Sequence, residues 1–275
     1  MVMGKRAWMH GLAAAAALSG LAAGPAFAGV VSVSGNGSGL AGIRPLAEAF
    51  MKANPGERVE LLPVVGSHGA IKAVLAGELD IGVSGRALTG EERNRGAVEI
   101  PFARAPFVFA THPGAGAGGV TLREVIEIYE GRKTRWPDGT PIRLILRPEG
   151  ESDLDVLRGI SNDLAAAVNR AMLREGMIVA VKDAENADAI ARTPGSFGAL
   201  ALATAMQEKG RIRVLALDGV VPGQKTLSEG AYPHSKQFFL VTSRSPSPSS
   251  KRFLAFIRSR EGEAVLNRAG FVPVR

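Results

Sequence analysis

Over residues 30–84, three short apolar stretches alternate with two amphipathic ones, and glycine and serine follow each apolar stretch. Val30 to Ser34, Val59 to Val65 and Leu79 to Ser84 read as strands. Between the first two, Leu40 to Ala53 places Leu40, Ile43, Leu46, Ala47 and Phe50 on one helical face. Asn54-Pro55-Gly56 stops that helix, and Ala70 to Ala76 forms a second one that ends at Gly77. Strand and helix in strict alternation at this spacing predict a parallel α/β sheet with right-handed crossovers. At 275 residues the chain has room for one large domain or two lobes, and its 46% hydrophobic content excludes disorder.

The remaining chain continues the pattern. Ile100 to Thr111 is extended and apolar, broken by Pro101 and Pro106, and Gly114 to Gly119 is a glycine-alanine loop. Thr121 with Glu124 forms a capping box for a helix reaching Tyr129. Trp136 to Gly139 turns the chain into a strand over Ile142 to Leu146, and Ser152 or Asp153 is expected to cap the next helix. Further helices are expected over Leu164 to Glu175, Asp183 to Ala191 and Ala199 to Gln207, with Pro194 to Gly198 as a tight turn. Ile212 to Ala216 and Phe238 to Thr242 read as strands. Ser245 to Ser250 reads as a turn, and Arg252 to Ile257 and Glu261 to Ala269 as helices.

Composition removes several function classes. There is no cysteine, so disulfides, thiol catalysis, cysteine zinc sites and a lipidated N-terminal cysteine are excluded. The net charge of +7 comes from scattered bases with no basic run, which argues against nucleic acid as a partner. Lys5 and Arg6, the apolar stretch Leu12 to Ala23 and the small residues of Ala26-Phe27-Ala28 form a secretory signal, so residues 1–28 are expected to be removed and the mature chain to be periplasmic. After it, no segment reaches about 18 uninterrupted apolar residues.

Three loops sit where a strand hands over to the next segment: Ser34 to Gly39, Gly66-Ser67-His68-Gly69, and Ser84-Gly85-Arg86. Ligands of open α/β sheets bind beyond the carboxyl ends of strands. The first two loops precede helices, whose unpaired N–H groups favour an anion. The plain alternative is a set of glycine-rich turns. Arg147 ends the strand before Glu149 to Asp153 and is placed to grip an oxyanion in a two-pronged fork, unless Glu149 or Glu151 pairs with it at the surface. Gly37 to Gly42 also matches G-x-G-x-x-G, with Glu60 18 residues later, which keeps a dinucleotide-binding enzyme as a third alternative. No serine lies in G-x-S-x-G, and His68, His112 and His234 are not in metal-ligand spacing.

These residues together resemble the periplasmic phosphate-binding components of phosphate ABC transporters, a branch of the type II periplasmic binding proteins. The resemblance runs through Ser34 to Ser38, Val65 to Ile71, Gly77 to Gly82, Ser84 to Thr89, Tyr129 to Arg132 with Trp136, Pro141-Ile142, Arg147, Pro194 to Gly198, Tyr232-Pro233 and Gly270 to Pro273. It implies two α/β lobes, each a mostly parallel sheet flanked by helices, joined by two crossing strands and closing over a ligand. Lobe one would comprise residues 29–106 and 239–275, and lobe two residues 107–238. It implies a binding protein rather than an enzyme, monomeric, without a cofactor, that delivers a small oxyanion such as phosphate to an inner-membrane permease. A diverged sensor or interaction protein on the same fold is the alternative.

The implied ligand-binding positions are Asn36, Gly37, Ser38, Ser67, Ser84, Arg86, Arg147, Glu151, Ser152 and Asp153. Two departures stand out. Gly85 occupies a position where many relatives carry an aspartate that accepts the ligand's proton, and Glu151-Ser152-Asp153 replaces a Ser-Gly-Thr helix start. Two carboxylates beside a dianion repel it. Either Glu151 or Asp153 therefore accepts a proton carried by the ligand, or Asp153 caps its helix and Glu151 points to water.

Overall fold

The computed structural model describes residues 29–274, so the export segment expected at 1–28 lies outside the described residues. In chain order the elements are β1 (Gly29–Gly35), α1 (Gly37–Ala53), β2 (Glu57–Leu61), α2 (Gly66–Ala76), β3 (Ile81–Ser84), α3 (Gly90–Asn94), β4 (Ala97–Thr111) and β5 (Gly119–Val120). There follow α4 (Leu122–Glu130), β6 (Arg143–Leu146), α5 (Ser152–Ile160), α6 (Asn162–Met172), β7 (Ile178–Val179), α7 (Asp183–Arg192), β8 (Ser196–Ala201) and α8 (Leu202–Gln207). The last are β9 (Arg213–Val214), β10 (Ala216–Leu217), α9 (Gln224–Ser228), β11 (Ser235–Ser243), α10 (Pro248–Ile257), α11 (Arg260–Arg268) and β12 (Val272–Pro273).

The opening alternation folds as expected. β1 pairs in parallel with β2 and β3, while β11 and β4 extend this sheet in antiparallel fashion. A second sheet carries β8 between β4 and β6, with β7 parallel to β6 at its edge. β4 is the strand common to both. Its 15 residues span roughly 50 Å at the usual rise. It pairs with β11 up to Pro106 and with β8 from Phe107 onwards. β11 shifts register between Phe238 and Phe239, where its pairing with β3 begins.

Separate cores form on either side of that change of partner. One gathers Val31, Val33, Ile43, Phe50, Phe102, Phe238, Phe253 and Phe271. The other gathers Phe107, Phe109, Tyr129, Trp136, Phe197 and Tyr232. Along β4, Phe107 and Phe109 point into this second core, whereas Val108 and Ala110 point to a third cluster with Ile145, Ile190 and Leu200. Side chains alternate faces along a strand, so the near-continuous apolar run of β4 marks a sheet buried on both sides.

Three expectations needed correction. Pro194 and Gly195 turn, but Ser196–Ala201 is the buried strand β8, and the helix expected from Ala199 starts only at Leu202. Placement between β4 and β6 outweighs the helical preference of its alanines and leucine. The segment Ser245 to Ser250 is only partly a turn: Ser247 caps α10, which starts at Pro248. Neither Ser152 nor Asp153 is the cap of α5, because Glu151 stands there and makes no side-chain cap bond. The Thr121–Glu124 capping box is present as read.

Phe197 is fully buried, stacks on Phe109 at 5.6 Å and meets Tyr129 and Trp136 edge-on. Phe197→Ala is expected to cost about 3–5 kcal/mol by removing those contacts and leaving a cavity. Urea unfolding followed by circular dichroism measures it, and a loss below about 1 kcal/mol would contradict this packing.

Candidate functional site

The carboxyl ends of both parallel sheets face each other. From one side come the turns after β1 and β3 and the starts of α1 and α2. From the other come Arg147 directly after β6, the start of α5, and Asp183 at the start of α7. Between them lies Lys236 on β11. α1 is capped by Asn36, whose Oδ1 accepts the Gly39 N–H at 3.1 Å. α2 begins at Gly66 rather than at Ala70, so Ser67 sits in a helical first turn. Its Oγ accepts the Gly85 N–H at 3.0 Å.

Arg147 is the centre of the constellation, at 2% exposure. Its Nη1 donates to the Ala180 carbonyl at 2.7 Å, and its Nη2 donates to Asp183 Oδ1 at 3.0 Å and to Glu151 Oε2 at 3.1 Å. Its Nε lies 3.3 Å from Asp153 Oδ2. Asp153 also pairs with Lys236, and both are buried. Asp183 Oδ2 accepts the Ser38 backbone N–H at 2.8 Å, and Thr204 Oγ1 donates to Ser38 Oγ at 3.0 Å. Two cations and three carboxylates thus share one water-poor space.

The environment shifts these acids in opposite directions. Burial is the main influence on Glu151 and raises its carboxyl above the ordinary range, with Asp183 and Asp153 adding to it against Arg147. Burial also opposes ionisation of Asp183. There the nearby Lys236 and Arg147 charges and the Ser38 N–H outweigh it and hold the carboxyl below its ordinary value. Charge pairing therefore decides the state of Asp183.

Gly85 makes room for the centre of the site. A Cβ there would lie 2.6 Å from Lys236 Cε and 2.7 Å from Ser152 Oγ. Ser67, Ser152 and Lys236 thus converge on one backbone position. Within this cluster the buried Ser152 Oγ, Arg147 Nε and Asp153 Oδ2 make no hydrogen bond, the last two facing each other as an ion pair.

The structure brings together Asn36, Gly37, Ser38, Ser67, Arg147, Glu151, Ser152 and Asp153 from the sequence reading. Arg147 does pair with Glu151, but in a buried network rather than at the surface. Asp153 does not cap α5, because its oxygens face Lys236 and Arg147. Ser84 and Arg86 serve the turn after β3. Ser84 Oγ accepts the Arg86 N–H and donates to its carbonyl, and the Arg86 guanidinium grips Glu92 through two hydrogen bonds. The glycines of the G-x-G-x-x-G segment lie inside α1. Gly39 abuts Val83 and Phe238, and Gly42 abuts Phe271 and Leu266, so packing accounts for them. Glu60 stands on an exposed face of β2 rather than at a strand end. Sequence reasoning missed Lys236, Asp183 and Thr204. A lysine one residue from a run of buried strand residues was the available signal for the first.

Residues 20–261 match the PBP superfamily domain. The chain belongs to that superfamily. It is 25% identical over 219 residues to the phosphate-binding protein PstS of Borreliella burgdorferi, covering 76% of this chain and 78% of that one. To PstS of Bacillus subtilis it is 26% identical over 252 residues, covering 86% and 79%. A Clostridium perfringens protein described as a phosphate ABC transporter substrate-binding protein, solved with phosphate bound, superposes with a TM-score of 0.77 at 23% identity, over 90% of this chain and 100% of that one. The fold is that of the type II periplasmic binding proteins. These relatives of the PBP superfamily chain are named for binding, not for catalysis.

Two outcomes follow. Lys236→Met leaves Asp153 buried with Arg147 alone and is expected to cost about 3–5 kcal/mol in denaturant unfolding. Adding Asp153→Asn should recover part of that loss, and no recovery would contradict the pairing. Separately, the hydrogen bonds from Arg86 hold the Glu92 carboxyl down at about 2, against an ordinary value of 4.5. A depressed carboxyl stabilises the fold above its unfolded value, and the contribution disappears as pH falls through the folded one. Glu92→Gln should therefore lower stability at pH 7 and converge with the wild type as pH approaches 2. An equal deficit at both ends would refute it.

Proposed function

We propose that this chain is a solute-binding protein that captures a small, proton-bearing oxyanion, phosphate or a close relative, between two lobes and passes it to an ABC transporter permease. The lobes divide at about residues 106 and 238, with β4 and β11 as the crossing strands. Export through the segment at 1–28 would place it in the periplasm as a monomer. Among the described residues no helix is long and apolar enough to cross a membrane.

The observation that carries this reading is the joint approach of a helix N-terminus and a buried guanidinium to one carboxylate. Ser38 N–H donates to Asp183 from across the cleft, and Arg147 Nη2 donates to it from the same side. Backbone N–H groups at a helix start and an arginine fork are the donors that an oxyanion needs. The proposed ligand shell consists of Asn36, Gly37, Ser38, Ser67, Arg147, Glu151, Ser152 and Asp153, with Ser84 and Arg86 shaping the turn beneath it. The relatives named as phosphate-binding proteins support the same anion.

The carboxylates set the selectivity. An oxyanion without a proton would face Asp153 and Glu151 as like charges in a low-dielectric cleft. One that carries a proton can donate it to Asp153 Oδ2, a buried oxygen that makes no hydrogen bond and faces only the Arg147 Nε of its ion pair, 3.3 Å away. Phosphate at neutral pH carries such a proton and sulfate does not.

A thermal-shift and calorimetry panel of phosphate, arsenate, phosphonates, sulfate and small carboxylates tests this. Phosphate and arsenate should bind and sulfate should not. Arg147→Ala should weaken phosphate binding by about 2–5 kcal/mol, with only partial rescue by lysine, which lacks the fork. Ser38→Ala and Ser67→Ala should each weaken it about tenfold, as expected for a hydrogen bond to a charged group. A flat panel would favour a sensor or interaction protein on the same fold, and equal binding of sulfate would remove the proton-acceptor role.

A further inference from the structure

Asp183 occupies an unusual place. Its carboxylate presses against the first turn of α1, so close that a Cβ on Gly37 would lie 2.9 Å from Oδ2. One oxygen accepts the Ser38 N–H and the other accepts Arg147 Nη2. A single side chain from the start of α7 thereby bridges the helix N-terminus of one lobe and the guanidinium of the other.

We infer that Asp183 is a resident anion: it takes the oxyanion position between the Ser38 N–H and Arg147, clasps the lobes together, and must be displaced for an external ligand to bind. The inference rests on the oxyanion-capture reading and adds to it a built-in competitor that sets affinity. Its geometry is that of a partial substitute. A carboxylate has two oxygens where a tetrahedral oxyanion has four, so it cannot engage every group around it. Correspondingly, Ser152 Oγ remains buried without a hydrogen-bond partner, and Arg147 Nε and Asp153 Oδ2, an ion pair 3.3 Å apart, make no hydrogen bond. Buried polar groups are ordinarily satisfied. A tetrahedral, proton-bearing ion in place of Asp183 could accept from the first two and donate to the third.

Displacement is local. Val181 and Lys182, just before Asp183, are exposed, and Asp183 is the first residue of α7. The carboxylate can therefore leave by rearrangement of a helix end without unfolding either core. Its charge is what the ligand replaces. Exchange of one carboxylate for one oxyanion keeps the cleft from accumulating a fourth negative group.

The test uses the phosphate-free protein with Asp183→Ala and Asp183→Asn. The asparagine is nearly isosteric and guards against a folding defect, which circular dichroism would reveal. In small-angle scattering without ligand, the wild type should be compact and Asp183→Ala more extended, with inorganic phosphate returning the variant to the compact form. By calorimetry, Asp183→Ala should bind phosphate at least tenfold more tightly than the wild type, and Asp183→Asn should fall between them. An unchanged ligand-free shape in Asp183→Ala, or weaker phosphate binding in both variants, overturns the inference. If Asp183→Ala opens yet neither it nor the wild type binds any oxyanion of the panel, the clasp stands and oxyanion capture falls.

Discussion

Arg147 carries a permanent charge into a space closed to water, and everything around it is arranged to make that tolerable. A buried cation is stable only when carboxylates and carbonyls replace its hydration. Glu151, Asp153, Asp183 and the Ala180 carbonyl supply those partners, and they come from two chain segments, the starts of α5 and α7. Because these acids outnumber the guanidinium, a second cation is required, and Lys236 supplies it from β11. Two cations thus face three carboxylates in one cluster.

The cluster is anchored on β11, one of the two long strands that run between the cores. β4 changes sheet between Pro106 and Phe107, and β11 shifts register between Phe238 and Phe239. Lys236 lies just before that shift. Its ammonium reaches Asp153 on α5, so one ion pair ties the crossing strand to the far wall of the cleft. The cores on either side are dominated by aromatic contacts, Phe50 with Phe253 in one and Phe109 with Phe197 in the other. Close-packed interiors of this kind resist deformation, which confines easy motion to the strands between them.

The comparisons and the geometry bear on different levels. Membership of the superfamily accounts for the two-sheet frame and for the convergence of loops at the carboxyl ends of strands. It does not account for the acid content of this cleft. Glu151, Asp153 and Asp183 set three carboxylates around Arg147, and Gly85 leaves the room that Ser152 and Lys236 fill beside them.

Much of this was legible in the chain itself. Alternating apolar periods and glycine stops specified the β1–α1–β2–α2–β3 frame, because periods of two and of 3.6 are local properties. The three loops and Arg147 were identifiable for the same reason: each follows a strand whose end the sequence marks. Local preference misjudged β8, where Ala199 to Ala201 are strand because β4 pairs with them. It also misassigned the cap of α5, because the oxygens of Asp153 are drawn to charges 83 residues away in the case of Lys236. Asp183 read simply as an acid at a helix start, which suits any helix dipole. Only the tertiary structure set that carboxylate against Ser38, 145 residues distant. Electrostatic partners separated so far in sequence leave no periodic trace, so the chain determined its frame and the loops at its strand ends, and the fold alone decided which charges meet between them.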